Sequence, residues 1–447
     1  MKNSAVTPDY LAGFGRTDIT PTQSVPLAGY GHTSTRMSEG IYTRLYATAI
    51  AVTDQDNQSV MLLTMDLINP RGGIAPLIRN GIAEKTGLPV GHIFVTFTHN
   101  HSGPDLDNDE ATPYVEECIT MVVRQTVAAA EAAWKDRKPA ELYTGVTKVE
   151  GLNFIRQYKR GPATEAGPGP IEGHRGPSDP EIRLIRFRRD GGKDLVLMNW
   201  QCHGVLNSHL LDKLDIFKLV SADYIEGVRK FMEEEGDCCF AFFQGAGGDM
   251  NSDSLIPEEN PTRDIYEYGR RLGTPALQCL RESMVKAEVG PIRVCNFDFS
   301  GRVNHDGEDM MEQVNKVRAY LAEKGAPGAT PYARSLGLIS WHHANAIVRR
   351  KAMGATMEIP CAVLSIGPVG FAAAPNELFS DAGIAIRKGS PFPMTFILGY
   401  CNFVGGYMPI MRAYDYNSYE VACSNFARGT AEEMVETYNN KWAELQP

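Results

Sequence analysis

The feature that most restricts this chain is a set of short, uninterrupted apolar runs that stop abruptly at polar or glycine-rich turns. They are Val60–Ile68, His92–Thr98, Leu195–Cys202, Cys238–Phe243 and Met394–Tyr400. A strand with one face in water alternates apolar and polar residues, so unbroken runs of this length predict strands covered on both faces. Between them lie helical patterns at Ala111–Trp134, Tyr224–Glu235 and Asp264–Ala287, the first finishing in the strong helix-forming stretch Ala128–Ala133. Strand and helix alternating along most of the chain predict an α/β architecture: a mixed or parallel sheet with flanking helices, spread over one large domain, 1–447. In such sheets ligands gather beyond the carboxyl ends of the strands. The residues at those ends therefore carry the search for function.

Charge narrows the partners before any motif is read. The chain has 44 Lys+Arg against 54 Asp+Glu, a net charge of −10, which argues against nucleic acid as a partner because that affinity comes largely from cations neutralising phosphates. The start, Met1–Gly15, has no apolar run of signal-peptide type, and nothing approaches the roughly 18 uninterrupted apolar residues of a membrane helix. A cytoplasmic protein acting on a small molecule is expected. Nine cysteines without a C-x-x-C pair, among them Cys202, Cys238, Cys239, Cys361 and Cys401 inside strand-like runs, predict buried reduced thiols. Arg160–Asp179 holds five Gly and four Pro and reads as a rim or lid loop of some twenty residues.

Strand ends supply the candidate chemistry. His92–Thr98 runs into Thr98-His99-Asn100-His101-Ser102-Gly103-Pro104, where two imidazoles two apart on an extended segment would point to one side. Such a pair suits a metal site, a metal ligand with an acid/base or oxyanion donor beside it, or simple local hydrogen bonding. Leu195–Cys202 also ends in a histidine, His203, with His209 six residues on. His32, His92, His174, His305, His342 and His343 lack this context and are expected to be structural or at the surface. Phe243–Asn251 turns through three glycines into Asp249 and Asn251, which either cradle an oxyanion or form a turn, and no phosphate-loop signature is present. Val369–Ala374 leads to Pro375-Asn376-Glu377, read as a helix start whose carboxylate either could ligate a metal or simply favours the helix N-terminus by its charge. Tyr407 follows Gly405-Gly406 and by itself says little.

Taken in order, these segments resemble the neutral/alkaline ceramidases, specifically their N-terminal catalytic domain. Ala12–Pro21 is similar to the family's AGxGRxDIT opening, Leu27–Gly31 and Gly40–Ala47 to its MxGYG and GIxxRLxAR segments, and Thr98–Pro104 to its THTHSGP. The resemblance extends to Tyr407–Glu420 and implies one catalytic Zn2+ per chain, held at the positions matching the family's ligands: His99, His203, Glu377 and Tyr407. It implies that His101 lies beside the metal and that Arg156 is the substrate-side arginine, both stabilising charge as a zinc-activated water attacks a carbonyl. Where the family has GDxSP, this chain reads Gly248-Asp249-Met250-Asn251-Ser252, so Asn251 stands in the serine position. The chain stops at Pro447 soon after the tyrosine motif, so no C-terminal immunoglobulin-like domain is expected.

The expectation is thus a zinc-dependent hydrolase of a linear C–N amide bond, with His101, Arg156 and Asn251 on the catalytic side. Ceramide is a membrane lipid and the sequence shows no amphipathic membrane helix, so the substrate is expected to be an N-acyl compound more soluble than ceramide. The same metal site acting on an ester, lactone or glycosidic bond of a polar metabolite is the alternative. The sequence leaves the oligomeric state open.

Overall fold

The larger sheet is built from β1 (Tyr10–Asp18), β2 (Tyr46–Thr53), β3 (Ser59–Met65), β4 (Ile93–Phe97), β5 (Lys138–Lys148), β6 (Glu181–Arg189), β7 (Leu195–Trp200) and β8 (Cys239–Gln244). Their order is β8-β7-β6-β5-β1-β2-β3-β4, with the short strand Val285–Lys286 beside β5. Neighbours run antiparallel except at the two edges, where β7 pairs parallel with β8 and β3 with β4. The sheet is therefore mixed. These details come from a computed structural model that describes residues 8–30, 36–107, 112–162, 169–206, 215–259, 262, 264–326, 328–416 and 418–445.

The outer face is covered by α1 (Ile74–Thr86), α2 (Tyr114–Lys135), α3 (Tyr224–Gly236) and α4 (Ile265–Glu282), of which α1 and α3 are the crossovers of the two parallel pairs. Against the inner face lies a second sheet, β9 (Ile292–Arg302), β10 (Thr356–Ile366), β11 (Val369–Ala373) and β12 (Met394–Leu398), in sequence order. The unbroken apolar runs follow from this layering. Ala47, Ala49, Ala51, Met61 and Leu63 face α1 and α2, while their neighbours Ile50, Val52, Val60 and Leu62 pack on Leu364, Phe371 and Phe396 of the second sheet. The far side of the second sheet is covered by later helices, completing four layers. Apart from that cover, α5 (Met311–Lys324), α6 (Ala329–Ser335) and α7 (Trp341–Lys351) form a small cluster of their own. Beyond them come α8 (Ser380–Gly389), α9 (Tyr419–Cys423) and α10 (Thr430–Lys441).

The larger sheet curls until its edges meet without joining in a ladder. Gln244, closing β8, donates Nε2 to Thr98 O at 3.0 Å just past β4, and buried Arg229 on α3 reaches both carboxylate oxygens of Asp66 after β3, at 2.7 and 2.6 Å. Asn199 of β7 exchanges hydrogen bonds with the Ile397 backbone of β12 at 2.9 and 3.1 Å. Curl and cross-links together draw the carboxyl ends of β4, β7, β8 and β12 to one place.

Several boundaries differ from the sequence reading. The helix expected to Ala287 ends at Glu282, and Val285–Lys286 pairs with β5 instead. The strand expected to Ile68 stops at Met65, freeing the Ile68 carbonyl for His99. All nine cysteines are free thiols, with Cys239, Cys295 and Cys423 half-buried rather than buried. Among the described residues, no helix is long and apolar enough to cross a membrane.

Candidate metal centre and active site

The segment after β4 does not remain extended. His99 takes a left-handed conformation, φ +57°, and His101 lies in a turn, so the expected strand geometry of the H-x-H pair is corrected although the two rings still meet. Pairing between loops replaces it. Asn100 bridges Gly204, His203 bridges Asn251, Arg156 N donates to Asp249 O at 2.9 Å, and Gly248 N donates to Leu378 O at 2.8 Å. Loops from five places thus hold one another through single backbone contacts. Gly29 completes the packing: its φ is +109°, and a Cβ there would sit 2.5 Å from the His101 ring.

Within this frame the imidazoles have defined tautomers. His99 Nδ1 donates to Ile68 O at 2.7 Å, and His203 Nδ1 donates to Gly247 O and Met250 O at 2.8 and 3.0 Å. Each Nε2 is therefore a bare lone pair. Burial depresses both histidines to about 3, which keeps them neutral, the form that ligates metals. Tyr400, following β12, stacks on His99 at 4.1 Å between ring centroids and fixes its plane.

The carboxylate arrives by a route the sequence did not suggest. Glu377 does not open a helix. Glu377–Leu378 is a two-residue strand paired in parallel with Tyr407–Met408, Glu377 directly opposite Tyr407, and α8 starts only at Ser380. Glu377 Oε2 lies 3.4 Å from His99 Nε2 and 3.5 Å from His203 Nε2. With both imidazoles neutral these are not ion pairs. Glu377 Oε2 and His203 Nε2 are buried and have no hydrogen-bond partner among the described residues, a costly arrangement unless something else sits between them. Zinc–ligand bonds of 2.0–2.1 Å at tetrahedral angles put ligand atoms about 3.4 Å apart. The donors present fit such an ion. His101 Nε2 is also 3.2 Å from His99 Nε2, and in a second grouping, His99–His101–His203, the ligand atoms lie within 4.8 Å of one another.

Arg156 organises the opposite wall. Nε donates to Glu420 at 2.5 Å, Nη1 to Asn251 Oδ1 at 3.2 Å, and Nη2 to Gly248 O at 3.1 Å and Tyr407 Oη at 2.9 Å. Four of the five guanidinium hydrogens are thereby engaged, leaving one on Nη1. Burial opposes its charge, but Tyr407 and Glu420 outweigh burial and hold the guanidinium protonated. Burial likewise lifts Tyr407 well above an ordinary phenol, against the pull of Arg156. Asn251 thus holds Arg156 and, through Nδ2, Asp253 at 3.1 Å. Ser252 Oγ is buried without a partner among the described residues.

His101, Arg156, Asn251 and Tyr407 line the floor of an open cavity of about 760 Å³. Glu420, buried beneath Arg156 and bonded by Gln157 at 2.9 Å, was not singled out from the sequence, where its partner lies 264 residues away. His342, expected to be structural or at the surface, lines the same cavity. His174 instead pairs with Glu259 at 2.6 Å, while His32, His209 and residues 163–168 of the expected rim loop lie outside the described residues. What is described of that loop is partly a hairpin, Tyr158–Arg160 against Ile171–His174, from which Arg160 and Arg175 reach the cavity.

Comparison with known proteins gives one consistent answer. Residues 10–241, more than half of the chain, match the neutral/alkaline non-lysosomal ceramidase N-terminal domain. The chain is 21% identical over 373 residues to neutral ceramidase of Drosophila melanogaster and 20% over 365 residues to that of Drosophila pseudoobscura pseudoobscura. These alignments cover 70% and 69% of this chain but 51% and 50% of the relatives, so the chain spans about half the length of the curated relatives it matches. The fold is similar to the crystal structure of neutral ceramidase from Pseudomonas aeruginosa, with a TM-score of 0.69 at 16% identity over 99% of this chain and 75% of that one. A ceramidase complexed with C2 gives 0.70 at 17%, covering 98% and 76%.

Proposed function

The chain belongs to the neutral/alkaline non-lysosomal ceramidase family, and from that membership we propose that it is a zinc-dependent hydrolase of an amide bond, acting on an N-acyl compound more soluble than ceramide. The observation that carries the reading is the convergence of two neutral, buried imidazole lone pairs on one buried carboxylate oxygen at 3.4 and 3.5 Å. His99, His203 and Glu377 would hold the ion. Tyr407 is the fourth ligand in this reading rather than His101, because it stands directly opposite Glu377 in the ladder.

A metal held there supplies Lewis-acid polarisation of a carbonyl and makes water more acidic. The remaining work falls to the chain's own groups. With the His99 lone pair taken up, the His101 Nε2 proton that now points across 3.2 Å to it is released for a substrate oxygen. The last Arg156 Nη1 hydrogen adds a second donor for negative charge developing on that oxygen. Glu420 and Asn251 hold the guanidinium so that this donor is already oriented before substrate arrives. Support for a polar substrate comes from the cavity lining, in which Val205 and Leu255 are the aliphatic side chains among the described residues. Beyond these and the rings of Tyr30, Tyr158, Tyr407, Tyr416 and Tyr419, the lining is polar or charged and offers little to cover two long hydrocarbon chains.

A panel of matched amides, esters and glycosides tests the reading. Amide turnover is expected, reduced about 10²-fold or more in His101→Ala. Turnover confined to esters or glycosides would contradict it.

A further inference from the structure

The cavity mouth carries a charge opposite to that of the whole chain. Arg160, Arg175 and Arg334 line it together with the site residues just described, although the chain as a whole has a net charge of −10. They come from three places in the fold: the strand Tyr158–Arg160, the turn after its hairpin partner Ile171–His174, and α6. None of the three forms an ion pair with a carboxylate among the described residues. Glu420 is the one carboxylate among the described lining residues, and it is already neutralised by Arg156.

Each of the three guanidiniums is instead steadied by a backbone carbonyl. Arg160 Nη1 donates to Gly169 O at 3.1 Å, Arg175 Nε to Tyr158 O at 3.2 Å, and Arg334 Nε to Ile339 O at 3.2 Å. Arg175 also lies over the Tyr416 ring, 4.1 Å from its centroid. One hydrogen bond apiece among the described residues leaves most of each fork available there, and partly ordered heads lose less freedom when they engage a planar oxyanion. An acidic protein that gathers uncompensated cations at one concave opening focuses a positive potential there.

We infer that the substrate carries an oxyanion, a carboxylate or a group of the same charge and donor-accepting geometry, at the end of the molecule facing Arg160, Arg175 and Arg334. This rests on the amide-hydrolase reading and narrows it: an N-acyl acid is taken in preference to a neutral N-acyl alcohol or amide. The scissile bond meets the floor residues and the anion meets the rim.

Binding separates this claim from turnover. N-Octylsulfonylglycine and its primary amide share a sulfonamide that resists hydrolysis and differ only in terminal charge. Titrated calorimetrically into the metal-loaded protein, the acid is expected to bind about tenfold tighter than the amide, the sum of several weak exposed contacts. The gap should narrow at 0.5 M salt and in Arg160→Gln/Arg175→Gln/Arg334→Gln, with unchanged metal content showing that the variant is folded. The single variant Arg175→Gln should narrow it partway. Equal binding of the two compounds, or a preference indifferent to both salt and substitution, overturns the inference. Preference for the acid without hydrolysis of N-octanoylglycine would uphold the anion site and remove the amide reading.

Discussion

Asp249 shows how a residue can support the site without joining it. It is fully buried and accepts from Ser380 N at 2.8 Å and Ser380 Oγ at 3.1 Å, yet burial outweighs those bonds and lifts its carboxyl from 3.8 to about 7. A raised carboxyl means that the folded chain keeps a proton the unfolded chain releases, so its contribution to stability declines as pH climbs from about 4 to about 7. Asp249→Asn keeps both partners and removes the titration. Compared at equal metal loading, the variant should gain on the wild type by about 2–3 kcal/mol between pH 5 and pH 8 in urea unfolding; a pH-independent difference would refute this. The histidines were the most legible residues, because His99 and His203 each follow an apolar run and need only the rule that ligands gather at strand ends. Glu420 and the role of Asn251 were not legible. Both depend on Arg156, whose partners lie 264 and 95 residues away, and one sequence carries no record of such pairs.

At the scale of elements, the site depends on ladders two residues long. Glu377–Leu378 is held by Tyr407–Met408 on one side and by Gly248 N on the other. The sequence reading of a helix start at Glu377 failed here because Pro375 and a following carboxylate are common helix-opening signals, whereas the competing partner is another loop. Gly248 is the sensitive point: a Cβ there would stand 2.3 Å from Glu377 O and 2.9 Å from Leu378 O, both backbone atoms. Gly248→Ala should push this strand outward and weaken metal binding about 10–100-fold while the layers remain folded, read by competition with a chelating dye. Unchanged affinity would mean that Glu377 is not held where the metal needs it. The left-handed His99 has a similar cause. Its conformation is set by Ile68 O and Tyr400, neither of which is near in sequence.

Across the whole molecule, the α/β class was legible from the continuous apolar runs, since a sheet covered by helices on one face and a second sheet on the other leaves no polar side to its strands. The curl that brings the two edges of the larger sheet together was not, because it depends on Gln244, Asn199 and Arg229 reaching across layers. That curl is what makes four strand ends into one centre. The cationic rim belongs to this scale too, being assembled from three elements that share no sequence signal. Family membership and the geometry of the centre meet in a single claim, that the chain holds one zinc through His99, His203, Glu377 and Tyr407. The most direct test is metal content by plasma mass spectrometry on protein purified without added metal, with His99→Ala, Glu377→Ala and His101→Ala beside the wild type. About one zinc per chain is predicted, lost from the first two variants and retained by the third. A wild type that holds no metal even after reconstitution, or zinc that survives both His99→Ala and Glu377→Ala, would contradict the account.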